Sequence, residues 1–398
     1  MARSLLLYGA TGSAVRTTDL CSWSKTGRRG ISPGSVGRLV IDDRVWAIFM
    51  KTHKNLFHRV TTFSNLYQAF REASRGKRDQ SEVQSFEYHL EDRLCEIKRN
   101  LEMEVYCWGR YRSFWINDPK SRLIHAAPFR DRVVHHSMHR VLEPIFEPSF
   151  IYDTYACRKG KGTLSAVLRY DEFVRRLKGK GYVLKCDIKR YFPSIDHVIL
   201  KSLIRRKIGD TKLLRLLNSL IDTYHDSDDK GIPIGNLTSQ LFANIYLTPL
   251  DYFIKEQLKQ RCYIRYMDDF VILGKQKNEL WDILKGIKGF LDTYLKLGLN
   301  FKRVAVMPIE KGIDFLGHVI FLDGYKRIRR RNVVNFRKRL KWLSISYSEG
   351  TVLYDHARSS IASWLGLVKY ANAFYLSRAI FSEHDVDNVG KRLMIKRK

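Results

Sequence analysis

Arg261-Cys-Tyr-Ile-Arg-Tyr-Met-Asp-Asp-Phe-Val-Ile-Leu-Gly-Lys275 decides how the rest of the chain is read. Two apolar runs of β-forming residues, Cys262 to Ile264 and Phe270 to Leu273, flank Tyr266-Met267-Asp268-Asp269. Such runs broken by a short acidic turn predict a tight hairpin. Its tip carries two adjacent carboxylates in an apolar setting, and carboxylates so placed need a cation or a basic partner. A solvent-exposed turn that uses Asp only for its turn geometry is the alternative reading of this stretch.

Composition narrows the choice. The 398 residues hold 71 Lys and Arg against 41 Asp and Glu, a net charge of +30, which points to a polyanionic partner, nucleic acid first of all. A hydrophobic fraction of 44% supports real cores and excludes global disorder. The six cysteines lack CxxC pairs and metal-ligand spacing, which reads as reduced thiols in a cytoplasmic protein. No apolar run approaches the ~18 residues of a membrane span, so no membrane association is expected.

Upstream of the hairpin, Tyr182-Val-Leu-Lys-Cys-Asp187 predicts a buried strand that ends in an acid. Three carboxylates on neighbouring strands of a strongly basic protein suit phosphoryl transfer with two Mg²⁺ ions, Mn²⁺ being the substitute. The other reading of Asp187 is a strand-end turn residue. Between these points lie helical stretches near 196–206 and 211–224, the segment Gly231-Ile-Pro-Ile-Gly-Asn-Leu-Thr-Ser-Gln240, and a long amphipathic helix to about Gln260.

The remaining chain divides by pattern. Residues 1–49 are rich in Gly, Ser, Thr and Arg, with three acids (Asp19, Asp42, Asp43), and show no sustained period. An organellar transit peptide, an RNA-contacting arm and a mis-called gene start all fit that composition. Helical spacing begins after Asn55 and continues through Ser85 to Val105. A basic hairpin follows, Arg110 to Ile116 and Arg122 to His125 around an Asn117-Asp-Pro-Lys120 turn, and then a helix over Phe129 to Phe146. The i, i+4 pair His135/His139 lacks a third ligand nearby and reads as ordinary histidines. Tyr155 to Thr163 places cations and glycines before a helix start, a place suited to an anion. The last 75 residues carry 17 Lys and Arg against five acids, with Trp342, Tyr347, Trp364, Tyr370 and Phe374 interspersed.

In order, these motifs (ACRKGKG, KCDIKRYFPSI, GIPIGNLTSQ, YMDD, LGLNF and FLG) resemble those of a reverse transcriptase over roughly residues 50–398. The resemblance implies an α+β right-hand fold: fingers over 50–180, palm over 181–322 with a fingers insertion near 200–230, and a basic helical thumb over 323–398. It implies that Asp187, Asp268 and Asp269, with the backbone carbonyl of Ile188, hold the two metal ions. Lys120 and Arg122 would grip the triphosphate, with Arg130 or Arg132 as helpers. Phe192 would be the aromatic gate against a 2′-OH, and Ile234, Gly235 and Gln240 would line the nascent pair. Lys302 stands at the general-acid position, and Phe315-Leu316-Gly317 at the primer grip.

One departure from the common pattern narrows the resemblance. Most bacterial members carry QGxxxSP before the long helix, whereas Ile234 to Gln240 reads IGxxxSQ. That form is similar to the reverse transcriptases of diversity-generating retroelements. These copy a template-repeat RNA into error-bearing cDNA from dNTPs, together with an oligomer of a small basic accessory variability protein. The usual Gln offers an amide to the nascent pair; Ile234 cannot, and losing a geometry-dependent contact lowers discrimination. A neutral packing role for Ile234 is the other reading. Group II intron maturases, retron enzymes and a catalytically silent RNA-binding scaffold are the rival functions. Members of the retroelement family begin much like Met50 to Leu56, so residues 1–49 read as translation of upstream DNA. A chain starting at Met50 is therefore expected to keep full activity.

Overall fold

The computed structural model describes residues 51–117, 121–322 and 324–383. Its centre is a four-stranded antiparallel sheet. Numbered in chain order after the two strands of an upstream hairpin (β1, Arg112–Ile116; β2, Arg122–Ala126), its members are β3 (Tyr182–Asp187), β4 (Tyr263–Tyr266), β5 (Asp269–Gly274) and β6 (Ala305–Pro308), in the spatial order β4-β5-β3-β6. The predicted hairpin is β4–β5, closed by the pair Tyr266/Asp269.

Alternation along β3 and β5 sends side chains to both faces, and both faces are buried. Val183, Val271 and Leu273 pack with Ala166, Val167, Tyr170, Phe173 and Val174 of a helix over Thr163–Arg176. Leu184, Cys186, Phe270 and Ile272, of opposite parity, are also fully buried. A sheet covered on both sides requires continuous apolar runs, which is why Phe270 to Leu273 shows no polar alternation.

The helix over Leu237–Tyr252 corrects one expectation. It is not amphipathic: from Thr238 to Asp251 every residue except Gln240 is buried. Its polar positions mark internal partners, since Asn244 Nδ2 donates to the carbonyl of Ala156 and Asp251 meets Arg265 and Tyr263. A π-helical turn, Phe253–Gln257, continues it. The stretch predicted as one helix through Ser85–Val105 is two, Ser81–Tyr88 and Leu90–Glu102, interrupted at His89.

The β1–β2 hairpin starts two residues later than its sequence pattern suggested, and every residue of β1 is exposed, so it projects from the core. A three-stranded sheet follows the central one: Ile313–Phe315, His318–Ile320 and Lys326–Ile328. Beyond it, helices Arg330–Ser348, Tyr354–Val368 and Phe374–Ser382 share a core in which the rings of Phe336 and Trp364 stack at 4.1 Å. Of the interspersed aromatics, Trp364 is core, whereas Trp342, Tyr347, Tyr370 and Phe374 are exposed. The α+β class read from the sequence is the class observed.

Candidate active site

Asp187 is the last residue of β3, and its direct partner across the antiparallel ladder is Asp269, the first residue of β5. Direct partners project to the same face with Cβ atoms roughly 4.5–5.5 Å apart. Asp268 lies at the hairpin tip, and its carbonyl accepts the N–H of Ile188 at 3.3 Å, which ties the tip to the residue after Asp187. Met267, beside it, takes φ +58°, a left-handed conformation that non-glycine residues adopt at a cost.

The neighbouring acids leave a mark on Asp269. Burial, then the carboxylates of Asp268 and Asp187, push its pKa up to about 6. Charge gathered this way favours a cation. A carboxyl with a raised folded-state pKa stabilises the fold while protonated; that contribution is complete below the ordinary carboxylate pKa and is lost as pH rises through about 6. Metal-free Asp269→Asn is therefore expected to be more stable than the parent at pH 7, by on the order of 1–3 kcal/mol, and to match it near pH 4. Thermal melts of both proteins across pH 4–8 check this, and parallel curves would contradict it.

Asp187 itself is 3% exposed and is held from two sides. Asn300 donates its backbone N–H to the Asp187 carbonyl and its Nδ2 to Oδ2, both at 2.8 Å. Arg303 reaches both carboxylate oxygens at 3.2 and 3.3 Å. The Arg303 side chain is about half exposed, so its pairing is weak enough for a divalent ion to displace it. The site thus fits the metal ions expected from sequence: a buried carboxylate, a second with a raised pKa, and a loosely held guanidinium standing where a cation belongs.

Behind the hairpin lies a buried ion pair. Arg265, fully buried in β4, donates Nε to Asp251 Oδ1 at 2.7 Å and its second terminal nitrogen to Oδ2 at 2.6 Å. Tyr263 and Thr154 hydroxyls satisfy the same carboxylate. The remaining guanidinium nitrogen bonds to Asn244 Oδ1 and the Met267 carbonyl. Arg265 is a positioning residue: it anchors the turn that carries Asp268. Asn300, Arg303, Arg265 and Asp251 escaped the sequence reading, although a lone Arg inside an apolar strand signals a buried partner.

The other expected residues lie as follows. Lys120 falls outside the described residues; Arg122 opens β2 and is exposed. Arg130 and Arg132 bond within the fold, to the Cys107 carbonyl and to Glu82 respectively. Half-buried Phe192 accepts the Ile232 N–H on its carbonyl, and Ile234 accepts the His125 N–H from β2, both near 3 Å. Gly235 is required at its place: it takes φ +129°, and a Cβ there would lie 2.9 Å from Ile124. Gln240 is half-buried in the first turns of its helix. Lys302 is exposed, and the adjacent Arg303 is the residue that turns to Asp187. Phe315 is core, and Leu316-Gly317, both at positive φ, form the turn of the next hairpin.

The Reverse transcriptase (RNA-dependent DNA polymerase) family matches residues 117–320, just over half of the 398. The chain belongs to that family. Among similar proteins, Escherichia coli Protein YkfC is 27% identical over 50% of this chain and 63% of its own length. Lactococcus lactis Group II intron-encoded protein LtrA is 29% identical over 63% of this chain and 52% of its own. The chain thus spans less than two thirds of the length of either relative. A solved apo telomerase from Candida tropicalis overlays with a TM-score of 0.41 at 14% identity, covering 56% of this chain and 55% of that one. The right-hand polymerase fold is the fold of this family. Among the described residues, no helix is long and apolar enough to cross a membrane.

Proposed function

We propose that the chain is an RNA-directed DNA polymerase whose centre is Asp187, Asp268 and Asp269. The observation that carries this reading is the cross-strand pairing of Asp187 with Asp269 beneath a turn bearing Asp268. Two divalent ions on these carboxylates and on the Ile188 carbonyl would supply charge stabilisation for in-line attack on a nucleoside triphosphate. The protein's part is positioning. Asn300 fixes the rotamer of Asp187, Arg265 fixes the Met267–Asp268 turn, and half-exposed Arg303 neutralises Asp187 until an ion would take its place. Asp269, with its raised pKa, would hold a metal ion better as pH rises through about 6, where its carboxyl loses its proton. Arg122 and Lys120 meet the triphosphate, Phe192 the sugar, Lys302 the leaving group, and Phe315 to Gly317 the primer. The fingers, palm and thumb divide near residues 180 and 322, and the exposed aromatics and cations of the last three helices track the template–primer backbone.

The IGxxxSQ segment supports the finer reading, a polymerase of a diversity-generating retroelement that copies template-repeat RNA into mutated cDNA alongside an accessory-protein oligomer. Half-buried Ile234 sits where the projecting hairpin meets the segment entering the buried helix, and its side chain brings no hydrogen-bonding group there. Ile234→Gln is expected to reduce misincorporation opposite template adenines several-fold, read by sequencing cDNA made on one defined RNA. An unchanged error spectrum removes Ile234 from the account. The group II relatives favour a second reading, an intron-encoded maturase. Adenine-directed errors by the parent chain support the first; accurate synthesis together with stimulated splicing of a group II intron RNA supports the second.

A further inference from the structure

Loop 222–231 and the start of the helix His197–Arg205 bring together side chains that the polymerase reading does not use. His197, His225 and Asp229 each place one ligand-type atom within 4.8 Å of the others, the one such trio among the described residues. It shares no residue with the acidic centre. The two imidazole rings lie 4.9 Å apart.

Hydrogen bonding fixes which atoms face inward. His197 Nε2 lies 2.7 Å from the Gly231 carbonyl, which can only accept, so Nε2 carries a proton and, in the neutral ring, Nδ1 keeps its lone pair. That Nδ1 is buried without a hydrogen-bond partner, on a side chain 2% exposed. An orphaned buried acceptor is costly and calls for a missing partner. His225 repeats the arrangement: Nε2 lies 3.1 Å from the Asp222 carbonyl, and Nδ1 lies 4.0 Å from Asp229 Oδ1. Metal-bound histidines characteristically anchor their second nitrogen in this way, which sets tautomer and ring direction.

The loop is held by its backbone. The Asp229 carbonyl accepts the His197 N–H, the Asp226 N–H donates to the Lys230 carbonyl across the turn, and the Gly231 N–H donates to the Ile195 carbonyl. Asp222 Oδ1 stands 3.6 Å from His197 Nδ1, within reach as a fourth ligand, although Lys201 also holds that carboxylate. Ligand atoms about 2.0–2.1 Å from a tetrahedral ion stand ~3.3 Å apart. Closing from 4.8 Å requires small rotations, and His225 and Asp229 are both exposed and able to turn while His197 stays fixed.

We propose that His197, His225 and Asp229 form a binding site for a divalent transition-metal ion of the zinc class. Two imidazoles and a carboxylate suit such an ion, whereas Mg²⁺ prefers oxygen ligands and its own water. The ion ties the loop to the helix start, just before Gly231–Asn236, the segment that reaches the β1–β2 hairpin through Ile234 and His125.

The test uses the purified full chain, stripped with chelator and titrated with ZnCl₂ against a chromophoric chelator in excess Mg²⁺. One equivalent of Zn²⁺ is expected to bind, at least about tenfold more weakly in H225A and in D229A. Both replaced side chains are exposed, and circular dichroism checks that the variants remain folded. D187N is expected to bind like the parent. No stoichiometric Zn²⁺ binding, or unchanged affinity in H225A and D229A, overturns the proposal. Loss of binding in D187N but not in H225A places the ion on the acidic centre and overturns it too.

Discussion

Arg265→Met is expected to destabilise the chain by about 3–5 kcal/mol, the usual consequence of removing one partner from a buried ion pair. Arg265 and Asp251 are both fully buried, so no water compensates the carboxylate once the guanidinium is gone. The Tyr263 and Thr154 hydroxyls would remain, but two neutral donors do not replace a bidentate cation. The double replacement Arg265→Met/Asp251→Leu is expected to recover much of that loss, because it removes both charges together. Urea unfolding of the parent and the two variants decides the point. A cost below about 1 kcal/mol for Arg265→Met would contradict the role given to this pair. The double variant carries a second expectation: with no guanidinium to hold the Met267 carbonyl, polymerase activity falls even where stability returns.

Asp187→Asn is expected to lower primer extension by at least about 10²–10³-fold, the scale on which removal of one preorganised electrostatic group acts. The fold should tolerate the change. Asn retains an acceptor for Asn300 Nδ2, the backbone bond from Asn300 is untouched, and the lost partner, Arg303, is half solvated. Activity and stability therefore separate at this position. A variant that loses activity only in step with its melting temperature would make Asp187 a structural residue.

The acids were legible in the sequence because their neighbours are so apolar. Carboxylates at the ends of Val183-Leu184 and Phe270-Val271 have few structural reasons to be there, and the antiparallel register places Asp187 against Asp269. The supporting residues were not legible in the same way. Asn300 and Arg303 reach Asp187 from 113 and 116 residues away, and Asp251 reaches Arg265 from inside a helix whose polar residues looked like a solvent face. Helical periodicity cannot tell an outward Asn or Asp from one buried with a partner. His197, His225 and Asp229 stayed hidden for a related reason: their spacing follows no ligand motif, and only the turn at Asp226–Lys230 brings them together.

Extension of a DNA primer on a defined RNA template tests whether Asp187, Asp268 and Asp269 carry out templated DNA synthesis. The assay uses dNTPs and Mg²⁺ and compares the parent chain with Asp268→Asn at equal RNA binding. RNA-dependent extension by the parent, and its loss in the variant, is the expected result. Equal extension by both, or none by either, would contradict the account.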